Sequence, residues 1–332
     1  MDGPLWTETH APALSDLPQP EVRDALGGAV DEPMNLVVHG PVGAGKTAAV
    51  RALARETHED VDNDLVELNV DDFFSRTKTE IKNDPRFASF LVRRSRLSKR
   101  DMINRVLKES ASYAPVSGEY KTVLLDNAES IREDFQQALR RVMEQHHRTT
   151  QFVIATRQPS KLLPPIRSRC FDVPVRAPTH GETVAALERI VEREGVDYGE
   201  EGLEYVAGYG DGDLRRAILG AQTTAETADE VTMEAAYEAL GEVGLTDRVE
   251  EMLTDARAGE FSDARSTLDD LLVDEGYDGE EVLADLLAVA RSRFSGRELA
   301  AIHRLAGEID LDLAEGTSDR IHLSRLLAEL GR

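Results

Sequence analysis

The stretch from Gly40 to Thr47 constrains the fold of this chain more than any other part of the sequence. It has the pattern G-x-x-x-x-G-K-[ST], made up of Gly40, Pro41, Val42, Gly43, Ala44, Gly45, Lys46 and Thr47. An apolar run that starts at Leu36 precedes it, and an alanine-rich segment with helical spacing follows it as far as Arg55. Strand, glycine-rich loop and helix in this order are the context in which such a loop wraps phosphate groups, and a chance glycine-rich turn would lack it.

The motif and its flanks predict a binding site for a nucleotide and Mg²⁺. In such a loop the backbone N–H groups surround the phosphates, Lys46 reaches the β- and γ-phosphates, and Thr47 is a ligand of Mg²⁺. The metal also needs a carboxylate at the end of a neighbouring strand, and Asp126 directly follows the apolar run 122–125. Hydrolysis needs a further carboxylate to orient water, but the next residue is Asn127, whose amide cannot accept a proton as a carboxylate does.

Apolar runs alternate with helical patterns in the first half of the chain. The predicted strands are 36–40, 65–70, 122–125 and 151–156, and the helices between them include 100–111 and 135–146. Strands that alternate with helices predict a parallel sheet covered on both faces. The fold class is therefore α/β in this half.

After Pro178 the strand signals almost disappear, and amphipathic helical patterns predominate, notably over 182–194, 201–209 and 214–226. Breaks rich in glycine divide this part of the chain. The predicted domains are an α/β nucleotide-binding domain over 1–176, a small helical lid over 177–230 and an all-helical domain over 231–332.

The cysteine content and the hydropathy indicate the cellular compartment in which the protein is expected to act. Cys170 is the one cysteine, which excludes an intrachain disulfide framework and a cysteine-based zinc site and is typical of a reducing cytoplasm. No apolar run approaches the ~18 residues that span a bilayer, so we expect no membrane partner. Nor do the histidines indicate a transition-metal site, because His146 and His147 are adjacent and point to different helix faces.

The formal net charge is −24, which on an evenly charged surface would repel nucleic acid. The alternative, which we favour, is adaptation to a salty cytoplasm, where 1 M salt screens charges over ~3 Å. Acidic residues are scattered along the chain and arginine outnumbers lysine, which suggests a halophilic archaeon as a hypothesis. DNA binding would then need local basic patches, of which 93–100 is the densest. A solvated loop or an intersubunit contact is an open alternative for that segment.

Several segments together resemble the small subunits of replication factor C, the archaeal and eukaryotic sliding-clamp loader of the AAA+ superfamily. They are Asp-Asn-Ala-Glu at 126–129, Gln-Ala-Leu-Arg-Arg-Val-Met-Glu at 137–144, Pro-Pro-Ile-Arg-Ser-Arg-Cys at 164–170, Trp-Thr-Glu at 6–8 with Pro12, and the glycine-to-isoleucine stretch 212–218. The first three keep the family's order and spacing. The last two resemble its adenine-pocket segment and its sensor-2 helix.

The resemblance implies an AAA+ domain with a parallel sheet, a small helical lid and an all-helical collar that holds a ring together. It implies ATP and Mg²⁺ as cofactors. The implied partners are other replication factor C small and large subunits, the sliding clamp and primer–template DNA. Arg169 would be an arginine finger that acts in trans on a neighbour's ATP, and Arg215 would contact bound nucleotide in cis.

Three departures from the family pattern concern hydrolysis and base binding. Asn127 replaces the family's Glu, Arg157 stands where the sensor-1 Asn is expected, and the segment before Pro12 lacks the usual Tyr-Arg pair. We therefore expect a subunit that binds ATP, hydrolyses it weakly or not at all, and donates Arg169 to a partner. Whether Glu129 rescues hydrolysis is left open.

Three rival functions stay open at this point. One is an autonomous AAA+ DNA motor for branch migration or origin recognition, which would be expected to keep a Glu after Asp126. Another is a non-hydrolysing structural subunit whose site is permanently occupied. The third is a loader for an alternative clamp.

Overall fold

Five parallel strands form the sheet on which the first half of the chain is built. They are β1 Leu36–His39, β2 Leu65–Asn69, β3 Lys121–Asp126, β4 Thr150–Thr156 and β5 Phe171–Pro174. Their order is β2-β3-β4-β1-β5, and each neighbouring pair is parallel. All seven residues of β4 are buried, as expected for a central strand with helices on both faces. The predicted parallel α/β sheet is confirmed.

The computed structural model describes residues 4–75, 77, 79–80, 98–240, 243–274, 277–315 and 318–331. Residues 93–97 of the predicted basic segment lie outside this part. The chain divides into two compact units, Met1–Ala236 and Tyr237–Arg332. The division into three domains at 176/177 and 230/231 stays a prediction.

Helices cover both faces of the sheet, and the alternation of side chains along β1 shows why. Val37 packs into one buried cluster with Phe152, whereas Leu36 and Val38 pack into the cluster on the other face with Val153. Among the described residues, this unit contains the helices α1 Trp6–Thr9, α2 Pro20–Asp31, α3 Lys46–Thr57, α4 Val61–Asp64, α5 Val70–Ser75, α6 Lys99–Ser112, α7 Glu133–His146, α8 Pro164–Arg167, α9 His180–Glu194, α10 Glu200–Gly210 and α11 Leu214–Ala228. The first helix to begin after them, α12 Met233–Leu240, crosses the boundary between the units.

The three predicted helices after Pro178 are confirmed as α9, α10 and α11. Helix α9 begins at a capping box in which Thr179 and Glu182 satisfy each other's backbone N–H groups. Two short parallel strands, β6 Asp197–Tyr198 and β7 Glu230–Val231, join this helical region and were not predicted. Two residues are too few to show a period-two pattern.

All regular secondary structure among the described residues of the second unit is helical, as predicted. It contains α13 Val243–Ala258, α14 Phe261–Asp269, a π-helical turn Asp270–Asp274, α15 Gly279–Arg293, α16 Gly296–Glu315 and α17 Asp319–Leu330. Its helices bury one cluster that includes Leu268, Leu286, Ile309 and Leu326, each fully buried. Among the described residues, no helix is both long and apolar enough to span a membrane.

A buried carboxylate fixes the loop that leads into β3. Asp64 is fully buried, and its oxygens accept hydrogen bonds from the Val116 and Ser117 N–H groups at 2.7 Å each and from Ser117 Oγ at 2.6 Å. Burial raises the pKa of Asp64, but these hydrogen bonds outweigh it, and the pKa is lowered overall. Nearby Lys121 is also buried, and burial lowers its pKa to about 8 despite the attraction of Asp64. The start of β3 is thereby held in place, and Asp126 lies at its other end.

Replacing Asp64 with Ala should destabilise the first unit. We expect its free energy of unfolding to fall by about 2–4 kcal/mol, because the change removes the buried acceptor of three hydrogen bonds and leaves the partly buried Val116 and Ser117 donors without it. The pKa of Asp64 is lowered by folding, so its contribution is present above the ordinary carboxyl pKa of about 3.9 and is lost as the pH falls through the lower folded value. Denaturant titrations at pH 7 and pH 3 measure both effects.

The matched control is Asp62→Ala, which removes an exposed carboxylate from the same helix. This change should alter the free energy of unfolding by no more than about 0.5 kcal/mol. Equal losses in the two variants would contradict the role given to Asp64.

Candidate functional site

A cavity of about 500 Å³ lies at the carboxyl ends of β3 and β4, beside the loop that follows β1. That volume is within the range of small-molecule and cofactor sites. Of the residues predicted to bind nucleotide or metal, seven line it: Val42, Gly43, Gly45, Lys46, Thr47, Asp126 and Arg215. Gly40, Pro41 and Ala44 belong to the same loop but do not line the cavity. The structure thus brings the predicted loop, carboxylate and lid arginine together.

The loop between β1 and α3 has a backbone that a phosphate fits. Gly43 has φ +66° and Gly45 has φ +94°, a left-handed region that favours glycine. Gly45 is the residue before α3, and no side chain caps the N–H groups of that helix. Free N–H groups at a helix N-terminus attract anions, so the cradle suits a phosphate group.

Lys46 and Thr47 connect the loop to its surroundings. Lys46 Nζ donates to the carbonyl oxygens of Gly40 at 3.0 Å and Pro41 at 2.5 Å. Burial lowers the pKa of Lys46, and the negative charges of Glu129 and Asp126 oppose this effect. Thr47 Oγ1 donates to Asp126 Oδ2 at 2.9 Å. A hydroxyl and a carboxylate this close suit Mg²⁺, whose preferred ligands are oxygens.

Glu129 and Arg157 form an ion pair inside the cavity that the sequence did not reveal. Arg157 Nε donates to Glu129 Oε1 at 2.5 Å, while Thr156 Oγ1 and the Arg157 N–H each donate to Oε2 at 3.3 Å. Burial raises the pKa of Glu129, but the hydrogen bonds from Arg157 outweigh it, and the pKa is lowered. Both residues line the cavity, as does Asn127. The sequence offered two separate signals, an arginine at 157 in place of the expected asparagine and an acid at 129 without an assigned role, but nothing in it paired them.

The lid contacts the phosphate loop directly. The Leu214 N–H donates to the Gly43 carbonyl oxygen at 3.1 Å. Asp213 caps α11 by accepting from the Arg216 N–H at 2.9 Å, and a Cβ atom on Gly43 would lie 1.8 Å from Asp213 Oδ1. Arg215 lines the cavity, whereas Arg216 lies over the Tyr209 ring at 4.4 Å. Of these two adjacent arginines, Arg215, the one that the family resemblance implies, is therefore the one that lines the cavity.

The N-terminal segment forms another wall and is also tied to the lid. Thr7, His10 and Pro12 line the cavity. The Trp6 N–H donates to Gln222 Oε1 at 2.9 Å, and His10 pairs with Glu194 of α9. The predicted adenine-pocket segment is therefore placed at the cavity by contacts with α9 and α11.

Arg169 does not line the cavity of its own chain. Its guanidinium donates to the Pro165 carbonyl oxygen at 2.7 Å and to Glu144 Oε1 at 2.8 Å, and Glu144 also accepts from Arg140 at 3.1 Å. The Arg169 side chain is 37% exposed. Among the predicted site residues, it is the one that the fold places elsewhere on the surface.

Family comparisons agree with this arrangement. Residues 36–178 match the ATPase family associated with various cellular activities (AAA), and residues 245–329 match the replication factor C C-terminal domain. The replication factor C small subunit of Halobacterium salinarum is 31% identical over 98% of this chain and 95% of its own length. That of Aeropyrum pernix is 34% identical over the same shares. This chain belongs to the replication factor C small subunit family.

The fold of this replication factor C family member is also found in a more distant protein. The Holliday junction branch migration motor RuvB of Thermotoga maritima superposes with a TM-score of 0.52 at 16% identity, over 80% of this chain and 87% of RuvB. Such a likeness shows the fold alone. The AAA+ fold class predicted from the sequence is confirmed, and so is the family resemblance.

The contact between lid and phosphate loop in this replication factor C family member can be tested with Gly43→Ala. The added methyl group would overlap the Asp213 carboxylate, and φ +66° is unfavourable for alanine, so α11 should move away from the loop. Hydrogen exchange of the Leu214 amide should become roughly 10-fold faster or more as its bond to Gly43 is lost.

Gly27→Ala is the control, because Gly27 lies within α2 and a Cβ atom there meets no atom within 4 Å. That change should leave the exchange of the Leu214 amide as it is. Unchanged exchange in Gly43→Ala would show that the lid does not depend on this contact.

Proposed function

We propose that this chain is a nucleotide-binding subunit of a replication factor C complex that uses ATP to load a sliding clamp onto primer–template DNA. Its partners would be other replication factor C small and large subunits, the clamp and the DNA. The observation that carries the proposal is the convergence of Lys46, the Thr47–Asp126 pair and Arg215 on one cavity, in a chain that matches replication factor C small subunits over 98% of its length. The acidic composition would be an adaptation to high salt. The chain would then be a divergent second small subunit from a halophilic archaeon.

The residues of the cavity can be given separate tasks. The N–H groups of the loop and the start of α3 would bind phosphate oxygens, and Lys46 would exchange its bonds to the Gly40 and Pro41 carbonyl oxygens for bonds to the β- and γ-phosphates. Thr47 and Asp126 would hold Mg²⁺, which when bound neutralises charge on the phosphate oxygens. Arg215 would bind the nucleotide from the lid.

Weak hydrolysis in this subunit's own site follows from two side chains. The Asn127 amide cannot accept a proton from the attacking water. Glu129 is a carboxylate, but both its oxygens accept hydrogen bonds from Thr156 and Arg157, and its lowered pKa makes it a poorer proton acceptor. Glu129 is therefore not expected to replace the missing carboxylate.

Arg169 would act in trans as the arginine finger. Its side chain is exposed and does not line its own cavity, which leaves it available to a neighbouring subunit. An arginine supplied in trans stabilises the charge that develops on the transferred phosphate and increases the rate by about 10³–10⁵-fold. In a ring, this chain would thus serve a neighbour's site.

Two rival functions make different predictions. An autonomous DNA motor would hydrolyse ATP through its own Lys46, which is hard to reconcile with Asn127 beside Asp126. A non-hydrolysing structural subunit is favoured by that same Asn127, and it differs in that its nucleotide would not exchange.

The decisive experiment measures ATP turnover by the complex with its large and small partners, with DNA and clamp present. Arg169→Ala in this chain should lower turnover at the site it serves by about 10³-fold or more. Lys46→Ala should leave most of the turnover, because this chain's own site contributes little.

Arg167→Ala is the matched control, since Arg167 is an exposed arginine two residues away that pairs with Asp172 at 3.6 Å. It should leave turnover unchanged. Brisk turnover by the isolated chain that disappears in Lys46→Ala would instead favour the autonomous motor.

A further inference from the structure

Gln19 is a buried side chain that contacts two segments far from it in the sequence. It precedes α2, is 2% exposed and does not line the cavity. Its Nε2 donates to the carbonyl oxygens of Ala44 at 3.1 Å and Arg176 at 2.9 Å, which uses both N–H donors of the amide. Ala44 belongs to the phosphate loop, and Arg176 belongs to the connector, residues 175–179, which joins β5 to α9. Gln19 therefore links the loop to the segment that enters the lid.

The connector also packs directly against the start of the phosphate loop. The Val175 N–H donates to the His39 carbonyl oxygen at 2.7 Å, and a Cβ atom on Gly40 would lie 1.8 Å from the Val175 carbonyl oxygen. The two backbones are thus in close contact. Because packed groups of this kind yield little to compression, a displacement of the loop is transmitted to the connector.

The side chain of Arg176 continues this link into the lid. Its guanidinium donates to both oxygens of Glu182, at 2.6 and 2.7 Å, and pairs with Glu21 of α2 at 2.7 Å. A bidentate pair fixes orientation as well as distance. The same Glu182 accepts from the Thr179 N–H at 2.8 Å in the capping box that begins α9. The main chain of Arg176 is therefore bound by Gln19, and its side chain is bound to the first turn of α9.

Two consecutive carbonyl groups of the phosphate loop bind groups that lead to the lid. The Gly43 oxygen accepts from the Leu214 N–H of α11, and the Ala44 oxygen accepts from Gln19. A peptide unit is planar, so the Ala44 carbonyl group and the Gly45 N–H turn together. A phosphate bound at the Gly45 N–H would therefore fix the direction of the carbonyl group that Gln19 contacts. Hydrogen bonds at both ends of one peptide unit also strengthen each other.

We propose that Gln19 is a positioning residue that transmits occupancy of the phosphate loop to α9 of the lid. A phosphate holds the peptide unit between Ala44 and Gly45, Gln19 then holds the connector at Arg176, and the guanidinium holds the first turn of α9. Without Gln19, the loop is occupied but α9 does not respond. This inference rests on the proposed function, because it requires a nucleotide at the loop.

The test is amide hydrogen exchange of the full-length chain in Mg²⁺, with and without saturating ADP. Thr183 reports on the first turn of α9, because its N–H donates to the Thr179 carbonyl oxygen at 2.9 Å. In the wild type, ADP should slow exchange of the Thr183 amide by about 5–150-fold, the usual range of coupling between two sites. In Gln19→Met, whose side chain has a similar length but no N–H donor, this effect should be lost. The Leu214 amide, which binds Gly43 directly, should still respond to ADP.

Two further variants complete the experiment. Arg176→Met removes the second half of the link without changing the loop, so it should also abolish the response of the Thr183 amide, and it carries the test if Gln19→Met does not fold. Gln145→Met is the matched control, because Gln145 is exposed on α7, and it should keep the full response.

The outcomes separate this inference from the proposed function. A Thr183 amide that responds to ADP in Gln19→Met as in the wild type, or that does not respond in the wild type, would overturn the inference alone. Joint loss of the Thr183 and Leu214 responses would also overturn it, because the loop as a whole would then have loosened. Loss of ADP binding in Gln19→Met, measured by calorimetry, would place Gln19 in the binding site itself and exclude the positioning role. Wild-type protein that binds no ADP would overturn both proposals.

Discussion

The parallel pairing of β1 with its two neighbours is the constraint on which the rest of the first unit depends. Strand β1 lies between β4 and β5, so the loop that follows it emerges at the carboxyl edge of the sheet between the ends of these two strands. On one side this loop meets the end of β4, where the Gly40 N–H binds the Thr156 carbonyl oxygen. On the other side Gly40 lies so close to Val175 that a Cβ atom would be 1.8 Å from the carbonyl oxygen. The start of the loop at Gly40 is therefore held by its contacts with the ends of β4 and β5.

The carboxyl edge of the sheet brings cationic side chains together, although the overall composition of the chain is acidic. The whole chain is strongly acidic, yet the cavity holds Lys46, Arg157 and Arg215 together with Asp126 and Glu129. Inside the cavity, where the dielectric constant is lower than in bulk water, the attraction between the three cations and a phosphate is stronger than at an open surface. A large negative net charge is thus compatible with a site that binds anions, because the cations are local and the acidic surface residues are screened at high salt.

The departures from the family motif form a connected set in three dimensions. In the sequence, Asn127 and Arg157 were two separate departures from the family pattern, one after β3 and the other after β4. In the structure these strands are adjacent, and Arg157 pairs with Glu129, two residues beyond Asn127. A site that loses one carboxylate and engages another in an ion pair has changed its chemistry as a unit. This arrangement supports the proposal that the site binds nucleotide without efficient turnover.

The sequence by itself determined the phosphate loop, the parallel sheet, the helical second half and the meeting of Thr47 with Asp126. These follow from local patterns, since a glycine-rich turn between strand and helix and an acid after an apolar run each occupy fixed places in such a sheet. Strand β5 escaped prediction because three of its four residues are exposed and one is a proline. The family resemblance implied the role of Arg215 and the action of Arg169 in trans, but only the tertiary structure decided that Glu129 is engaged by Arg157 and that Arg169 pairs with Glu144. These depend on side chains that meet across elements far apart in the chain, and no local pattern encodes such contacts.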